Sequence, residues 1–536
     1  MTSNNKILND YNNQSVEEQV LLPFDLGRVI PKDDSVRLLN RVLEEVDYKE
    51  LNSMYSPYGR KPVVEPKTLF KIIVYGYMNG IYSSRTLETA CKRDINFMWL
   101  LDDNEVPDHS TISRFKSEKL SEVIDELFAQ FVKKLKDLGQ ISYKNIFIDG
   151  TKIESSANKY TFVWKKALKK NELKLQEKLQ DKLCKLQTIY GFEGQFNGDQ
   201  KIEPPEIESI LNQLYKKKEE DLVEFVHGKG KRKTQIQRDI EALEEMCERQ
   251  QKYNVQTETL GTRNSYSKTD RDATFMRMKE DHMRNGQLKP AYNIQIGVEG
   301  EYVVGVDVSN QVSDQTTLWS FLDKNERLLG ERYENIIADA GYESEENYKM
   351  LEQRGQTAYI KPSTYEQQKK RSFKNKIGRQ ENMIFDSENN TYTCTQGKRL
   401  TFTGYKKRKS KSGFVIKNSV YECEDCSDCP VKSKCTKAEC NKQLQVSHDF
   451  LRLRAQSKNN ITSPIGTVLR MNRSIQVEGA FGILKQNYGF RRFLSKGMKN
   501  VSTEFTLLCL GYNFKKLHRN IQNHNFGTTL YVLKTA

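Results

Sequence analysis

The chain has 536 residues and a mass of 62.4 kDa, enough for a sizeable core and long for a single one, so several domains or large insertions are expected. With 37% hydrophobic residues and a mean hydropathy of −0.74 it reads as globular, and no apolar run approaches the ~20 residues that span a bilayer. Lys and Arg number 86 against 71 Asp and Glu, for a net charge of +15, and the surplus is late: residues 441–536 carry 15 cations against Asp449, Glu478 and Glu504. That balance favours a polyanionic partner.

In chain order, residues 1–34 open on a stretch rich in Asn, Gln and acids. It lacks the apolar core of a signal peptide and reads as a flexible N-terminus, so the chain is expected in the cytoplasm. Residues 35–140 read as a helical DNA-binding domain. Leu69, Ile72, Ile73, Tyr75, Gly76 and Tyr77 share a buried helix, and residues 83–88 resemble the capped start of the next. Residues 107–115 then offer a turn and a helix bearing Arg114, in the manner of a helix-turn-helix; the alternative is that these helices only pack onto a catalytic domain.

Residues 146–150 form an apolar run closing on Asp149 and Gly150, which suits a buried central strand whose end exposes the acid. The next strands are expected only after residue 290. Between them Leu168, Leu175, Leu179, Leu183 and Leu186, and later Ile236, Ile240 and Leu243, recur at helical spacing in Lys/Glu-rich surroundings. This predicts an inserted helical arm over 165–261, exposed on most faces. Residues 292–298 and 302–308 alternate as a hairpin, a helix follows from about Asp314 to Leu329, and residues 336–341 repeat the apolar strand that ends in an acid, here Asp339. A helix over 343–353 and a strand over 358–360 complete an order that matches a ribonuclease H-like α/β core built from 141–164 and 262–362. A Cys-rich insertion spans 363–464, residues 465–520 complete the core with the third-acid helix, and 521–536 form a tail.

Two Asp residues at the ends of neighbouring strands, only ~4.8 Å apart, can converge on divalent metal, and hard carboxylate oxygens suit Mg²⁺ or Mn²⁺. Glu478, the one acid between Arg452 and Lys499, offers a third ligand. Lys485 follows it by seven residues, two helical turns on and on nearly the same face, and Arg491 and Arg492 extend a basic track for a DNA backbone.

These residues resemble the prokaryotic insertion-sequence transposases with an Asp-Asp-Glu triad, in the branch where the third acid is followed by Lys after six residues. The resemblance runs from about residue 40 to 515. Its carriers are Phe147-Ile148-Asp149-Gly150-Thr151-Lys152-Ile153-Glu154, Thr269-Asp270-Arg271-Asp272-Ala273, Asn310-Gln311-Val312-Ser313-Asp314, Ala338-Asp339-Ala340-Gly341-Tyr342 and Val477-Glu478-Gly479-Ala480-Phe481-Gly482-Ile483-Leu484-Lys485. It implies that Asp149, Asp339 and Glu478 are a metal-binding catalytic triad and that 35–140 binds DNA. It implies cleavage at inverted-repeat ends followed by joining to a target, within a homodimer or higher oligomer on double-stranded DNA. The family signature places an Arg four residues before the Glu, with a Tyr three before that. Here Arg473 precedes Glu478 by five and Arg470 stands in the Tyr region. Five residues turn an α-helix by about 140°, so Arg473 need not share the Glu478 face, and it stands with Lys485, Arg491, Arg492 and Arg114 as a candidate DNA contact. A structure-specific nuclease on the same fold, or a zinc-containing DNA-binding repressor derived from a transposase, remain alternatives. No Gly-x4-Gly-Lys-Ser/Thr loop is present, so no nucleotide cofactor is implied.

Cys423, Cys426, Cys429 and Cys435 lie within thirteen residues, with Cys394, Cys440 and His448 near in sequence. In a reducing compartment such spacing suits structural zinc, although overlapping pairs leave the ligand choice open and reduced thiols are the alternative. Cys91, Cys184, Cys247 and Cys509 read as packing groups. Asp272 and Asp314 fit either support of the metal site or helix and turn capping, and capping is expected for Asp314.

Overall fold

The apolar run around Asp149 forms a strand longer than itself. This strand, β1 (Asn145–Glu154), runs at the centre of a mixed sheet in a computed structural model. The structure describes residues 25–536 apart from 57, 59–61, 192–199, 229, 279–285, 411, 528–529 and 533–536. On one side of β1 lies β2 (Leu288–Glu299), antiparallel and hairpinned to β3 (Tyr302–Ser309); on the other lie β4 (Asn335–Ala338) and β5 (Thr357–Ile360), both parallel to it. The hairpin turns on Gly300 and Glu301, whose φ values of 60° and 64° match the right-handed twist of the strands they join. Helices Leu318–Leu329 and Glu345–Gln353 make the crossovers between β3 and β4 and between β4 and β5.

Helix Pro66–Met78 is buried along its whole length from Thr68 to Met78, as a helix apolar all round must be. It packs on helix Met498–Gln522, where a Cβ on Gly511 would lie 2.6 Å from the Met78 nitrogen, so the two backbones touch. Helix Met498–Gln522 also packs on helix Ser121–Asp137 and on β3, and one apolar core runs from Ile30 through the sheet to Leu517. The N-terminal helices therefore share the core of the sheet. Helix His109–Arg114 continues through a π-helical turn, Phe115–Leu120, into Ser121–Asp137, and Arg114 is exposed. The expected flexible N-terminus lies outside the described residues as far as residue 24. A short helix, Leu26–Val29, follows Asp25, and Ile30 enters the core. Of the tail, 528–529 and 533–536 lie outside the described residues, while Tyr531 hydrogen-bonds through its backbone with Asn472.

The arm consists of helices Lys165–Tyr190, Pro204–Glu220 and Gln235–Leu260, which bury Leu179, Leu183, Ile207, Leu214, Ile240 and Leu243 against one another in a separate small core. It leaves and returns between the paired strands Phe162–Trp164 and Ser265–Ser267. These strands and Thr274–Arg277, which pairs with the start of β2, correct the expectation that none would precede residue 290. Three- and four-residue strands are too short to display a period.

The Cys-rich segment contains a five-stranded antiparallel sheet in the spatial order Gln443–Val446, Val415–Cys423, Arg399–Lys409, Thr391–Thr393, Ile384–Asp386. The following helix, His448–Thr462, packs on β5: Ser457 Oγ accepts from the Ile360 N–H at 3.1 Å and donates to the Ile360 carbonyl at 2.9 Å. It leads into Pro464–Arg473 and then a mixed helix of π turn Ser474–Glu478, α turn Gly479–Gly482 and π turn Ile483–Asn487.

Candidate active site

The β1–β4 pairing stops at Ile148 and Ala338, and the next residue on each strand is an acid, Asp149 and Asp339. Asp149 is thus mid-strand and not at a strand end. β1 continues to Glu154 because β2 keeps pairing with it as far as Ala291. Asp339 caps the 3₁₀ turn Ala340–Tyr342, with its Oδ1 accepting from the Gly341 N–H at 2.7 Å. Asp149 Oδ1 accepts from the Gly150 N–H at 2.8 Å.

Arg473 stands between these acids and Glu478. Its Nη2 lies 2.9 Å from Asp149 Oδ2 and 3.9 Å from Asp339 Oδ2, and its Nη1 lies 4.0 Å from Glu478 Oε1. α-Helical geometry does not require Arg473 to share the Glu478 face; the π turn between them, whose i→i+5 bonding returns residues five apart to nearly one face, brings the two together. The Arg473 side chain is only 13% exposed, and its Nε is buried with no hydrogen-bond partner among the described residues. The three carboxylates are spread round an extended cation and not round a point. Among the described residues no three His, Cys, Asp or Glu side chains are gathered tightly enough to hold a metal ion.

Asp314 joins this group and does not cap a helix. Ser313 occupies the N-cap of its 3₁₀ turn, and Asp314 Oδ1 instead accepts from Asn293 Nδ2 at 2.8 Å and Gln295 Nε2 at 3.1 Å, both on β2. The Tyr342 hydroxyl donates to Gln295 Oε1, and burial, with the fields of Asp314, Asp149 and Asp339, keeps that phenol protonated far above its ordinary range. A Cβ on Gly150 would lie 2.8 Å from Asp314 Oδ1, and one on Gly341 3.4 Å from Asp314 Oδ2. The glycines beside the first two acids make room for a fourth, and their presence in both acid motifs was the available sequence signal.

The other expected residues are placed unequally. Lys485 is half-buried in the second π turn, and exposed Arg491 donates to Gln486 Oε1. Arg492, expected on a DNA track, donates to the backbone carbonyls of Ser155 at 3.0 Å and Ala157 at 3.2 Å, anchoring the chain just past β1. Gly479 and Gly482 lie on an exposed helix face, and a Cβ on either would meet nothing within 4 Å among the described residues. Asp272 serves the last helix: its Oδ2 accepts from the Met498 N–H at 2.8 Å, while buried Asp270 accepts from the Gly497 N–H, Ser155 and Tyr292. Both carboxylates suit a helix N-terminus.

Cys394, Cys423, Cys426, Cys429 and Cys435 line one cavity of about 20 Å³. Burial and the neighbouring Cys426 push the Cys423 thiol up to about 12. The donor set suits zinc, but its spacing here does not close round an ion. Cys440 is exposed, and His448 bonds the Tyr421 hydroxyl at 2.7 Å through Nε2. Cys91, Cys247 and Cys509 are buried as expected; Cys184 is exposed, so it is not a packing group.

Two families match the sequence. One, described as Transposase DDE domain, covers residues 393–518, and the other, described as Transposase domain (DUF772), covers residues 24–118. No curated protein and no solved structure matches the chain. Among the described residues no helix is long and apolar enough to cross a membrane.

Proposed function

We propose that this chain, an insertion-sequence transposase with a DDE domain, binds the terminal inverted repeats of its element, cleaves the phosphodiester bonds there and joins the freed 3′ ends to target DNA. The observation that carries this reading is the meeting of Asp149, Asp339 and Glu478, from two strands and a helix, round the Arg473 guanidinium. Hard oxygens that already surround a cation suit Mg²⁺ or Mn²⁺, and these three residues would hold it. Divalent ions, when bound, polarise an attacking oxygen and neutralise a leaving one.

The chain's own groups position the DNA. Arg473, displaced from among the carboxylates, turns its forked donors to a phosphate of the scissile strand, which also satisfies the Nε that is buried without a partner. Gly479 and Gly482 each cost the helix roughly 0.5–1 kcal/mol relative to Ala, and among the described residues a side chain at either would have open space, so they suit a face that a DNA backbone approaches closely. Lys485 and Arg491 would extend the phosphate contacts, with Arg114 a further contact from the N-terminal helices. Asp314, through Asn293 and Gln295, holds the floor of the site.

Incubating the full chain with Mg²⁺, DNA carrying the element's flanks and a target plasmid tests the reading. Element 3′-hydroxyl ends covalently joined to the plasmid are expected. Cleavage without joining would instead favour a nuclease, and neither product would contradict both. Cys423, Cys426, Cys429 and Cys435 have the donor chemistry for a structural zinc and would hold it once drawn together from the wall of the small cavity, which Cys394 also lines.

A further inference from the structure

The sheet of the Cys-rich segment extends past its own core. Tyr392, Leu400, Tyr421, Cys423 and Leu444 make its interior, all at the root of the ribbon formed by strands Arg399–Lys409 and Val415–Cys423. Past a bulge between Phe402 and Gly404 the two strands stay paired out to Lys409 and Val415, and every residue from Tyr405 to Lys409 is exposed. A two-stranded ribbon with no apolar face to bury is marginal in water, so folding does not account for this outer half.

Its charge is one-sided. From Arg399 to Tyr421 the sequence holds seven Lys and Arg and neither Asp nor Glu. Lys406, Lys407, Arg408, Lys409 and Lys417 are all exposed, and the structure gives none of the five an ion pair among the described residues. Lys407 and Lys417 are direct partners across the ribbon, a like-charge pair that costs stability unless an anion lies over it. Lys417 lies 3.7 Å from the centre of the Tyr405 ring, which holds its amine over the ribbon face.

The ribbon is also anchored beside the candidate active site. At its tip the Ser410 and Ser412 hydroxyls donate to Glu346, and Lys349 lies 5.8 Å over the Phe414 ring. Glu346 and Lys349 belong to helix Glu345–Gln353, which begins just after the turn capped by Asp339. DNA held on the ribbon is thus held by an element fixed to the helix that follows the second acid.

We infer that this ribbon is a duplex-DNA-binding element that seats backbone phosphates on Lys406, Lys407, Arg408, Lys409 and Lys417. The inference rests on the transposase reading and adds a site to it. A duplex carries one charge per ~1.7 Å of axis, and its major groove admits a two-stranded ribbon; alternation puts Lys407, Lys409 and Lys417 on one face and Lys406 and Arg408 on the other, about 6.6 Å apart along each face, so the ribbon offers cations to phosphates from both faces.

The test follows the affinity of the full chain for a labelled mixed-sequence duplex as salt is raised. Replacing the five cations together by Gln is expected to shrink the slope of log affinity against log salt by about 4, with binding at least about tenfold weaker near physiological salt. Exchanging Lys for Arg and Arg for Lys at the same positions keeps the charge and is expected to keep the slope. Lys407→Gln alone should shrink the slope by about 1 and raise the melting temperature, because it removes the like-charge pair. A fall of less than about 2 in the five-site Gln variant, or an equal fall in the charge-keeping variant, overturns the inference. If the unmodified chain fails to bind duplex at all, the transposase reading itself falls, so the two failures are distinguishable.

Discussion

A guanidinium set among carboxylates neutralises charges that would otherwise repel one another, and at Arg473 it does so with its Nε left unbonded, at a cost of about 1–3 kcal/mol. That cost is recovered when the side chain finds a better acceptor, which a phosphate provides. Asp314 raises a separate question, since it is both an acceptor for two β2 amides and a charge beside Asp149 and Asp339. The two roles separate by substitution. Asp314→Ala strands the Asn293 and Gln295 donors and should lower stability by about 1–3 kcal/mol, whereas Asp314→Asn keeps an acceptor and should stay within about 1 kcal/mol of the parent. If the charge serves the reaction, Asp314→Asn will nevertheless cleave element ends at least about tenfold more slowly, a loss of about 1.4 kcal/mol in transition-state stabilisation. Wild-type cleavage by Asp314→Asn would leave the residue as an acceptor only. Asp149, Asp339 and Glu478 stood out in the sequence because each acid closes an apolar run or is isolated among cations. Asp314 did not, because an Asp ahead of a helix looks locally like a cap, and its true partners lie across a hairpin some twenty residues away.

The third-acid helix carries two π turns, and the first decides where Arg473 points. An α-helix brings residues four apart to one face, and a π turn does so for residues five apart, so the extra residue and the π turn compensate each other. Removing one exposed residue from that turn should convert it to α without parting the two side chains. Deleting Ile475, 40% exposed, is therefore expected to leave the chain folded by circular dichroism, with strand cleavage within about tenfold of the parent. Inserting one Ala at the same place should abolish cleavage. Loss of cleavage in the folded deletion variant would show that Arg473 depends on more than its rotation about the helix axis. The sequence could not display the π turn, because a helical pattern is read at a period of 3.6 and one extra residue looks like a departure from the signature. The core strands were legible because alternation over seven residues is a strong signal, while the three-residue strands bracketing the arm carry too few residues to alternate.

At the scale of the whole molecule the charge surplus and the length acquire places. The helices before residue 140 and the sheet share one apolar core from Ile30 to Leu517, so their folding is expected to be cooperative, while the arm has a separate core of its own. The leucine periodicity of the arm was visible in sequence, but the union of the N-terminal helices with the last helix was not, since it joins Gly511 to Met78 across more than four hundred residues. The Cys-rich segment was legible as a thiol cluster and not as a sheet. If its thiols hold zinc, metal analysis of the purified chain should find about one equivalent, with Cys426→Ser lowering both zinc content and melting temperature, and less than about half an equivalent would count against the site. The proposed strand cleavage turns on Asp149, Asp339 and Glu478. The most direct measurement compares strand cleavage and end binding for Asp149→Asn, Asp339→Asn and Glu478→Gln in the full chain with Mg²⁺. Each variant is predicted to bind the element ends within a few-fold of the parent and to cleave at least about a thousandfold more slowly, and near-normal cleavage by any one of the three would contradict the account.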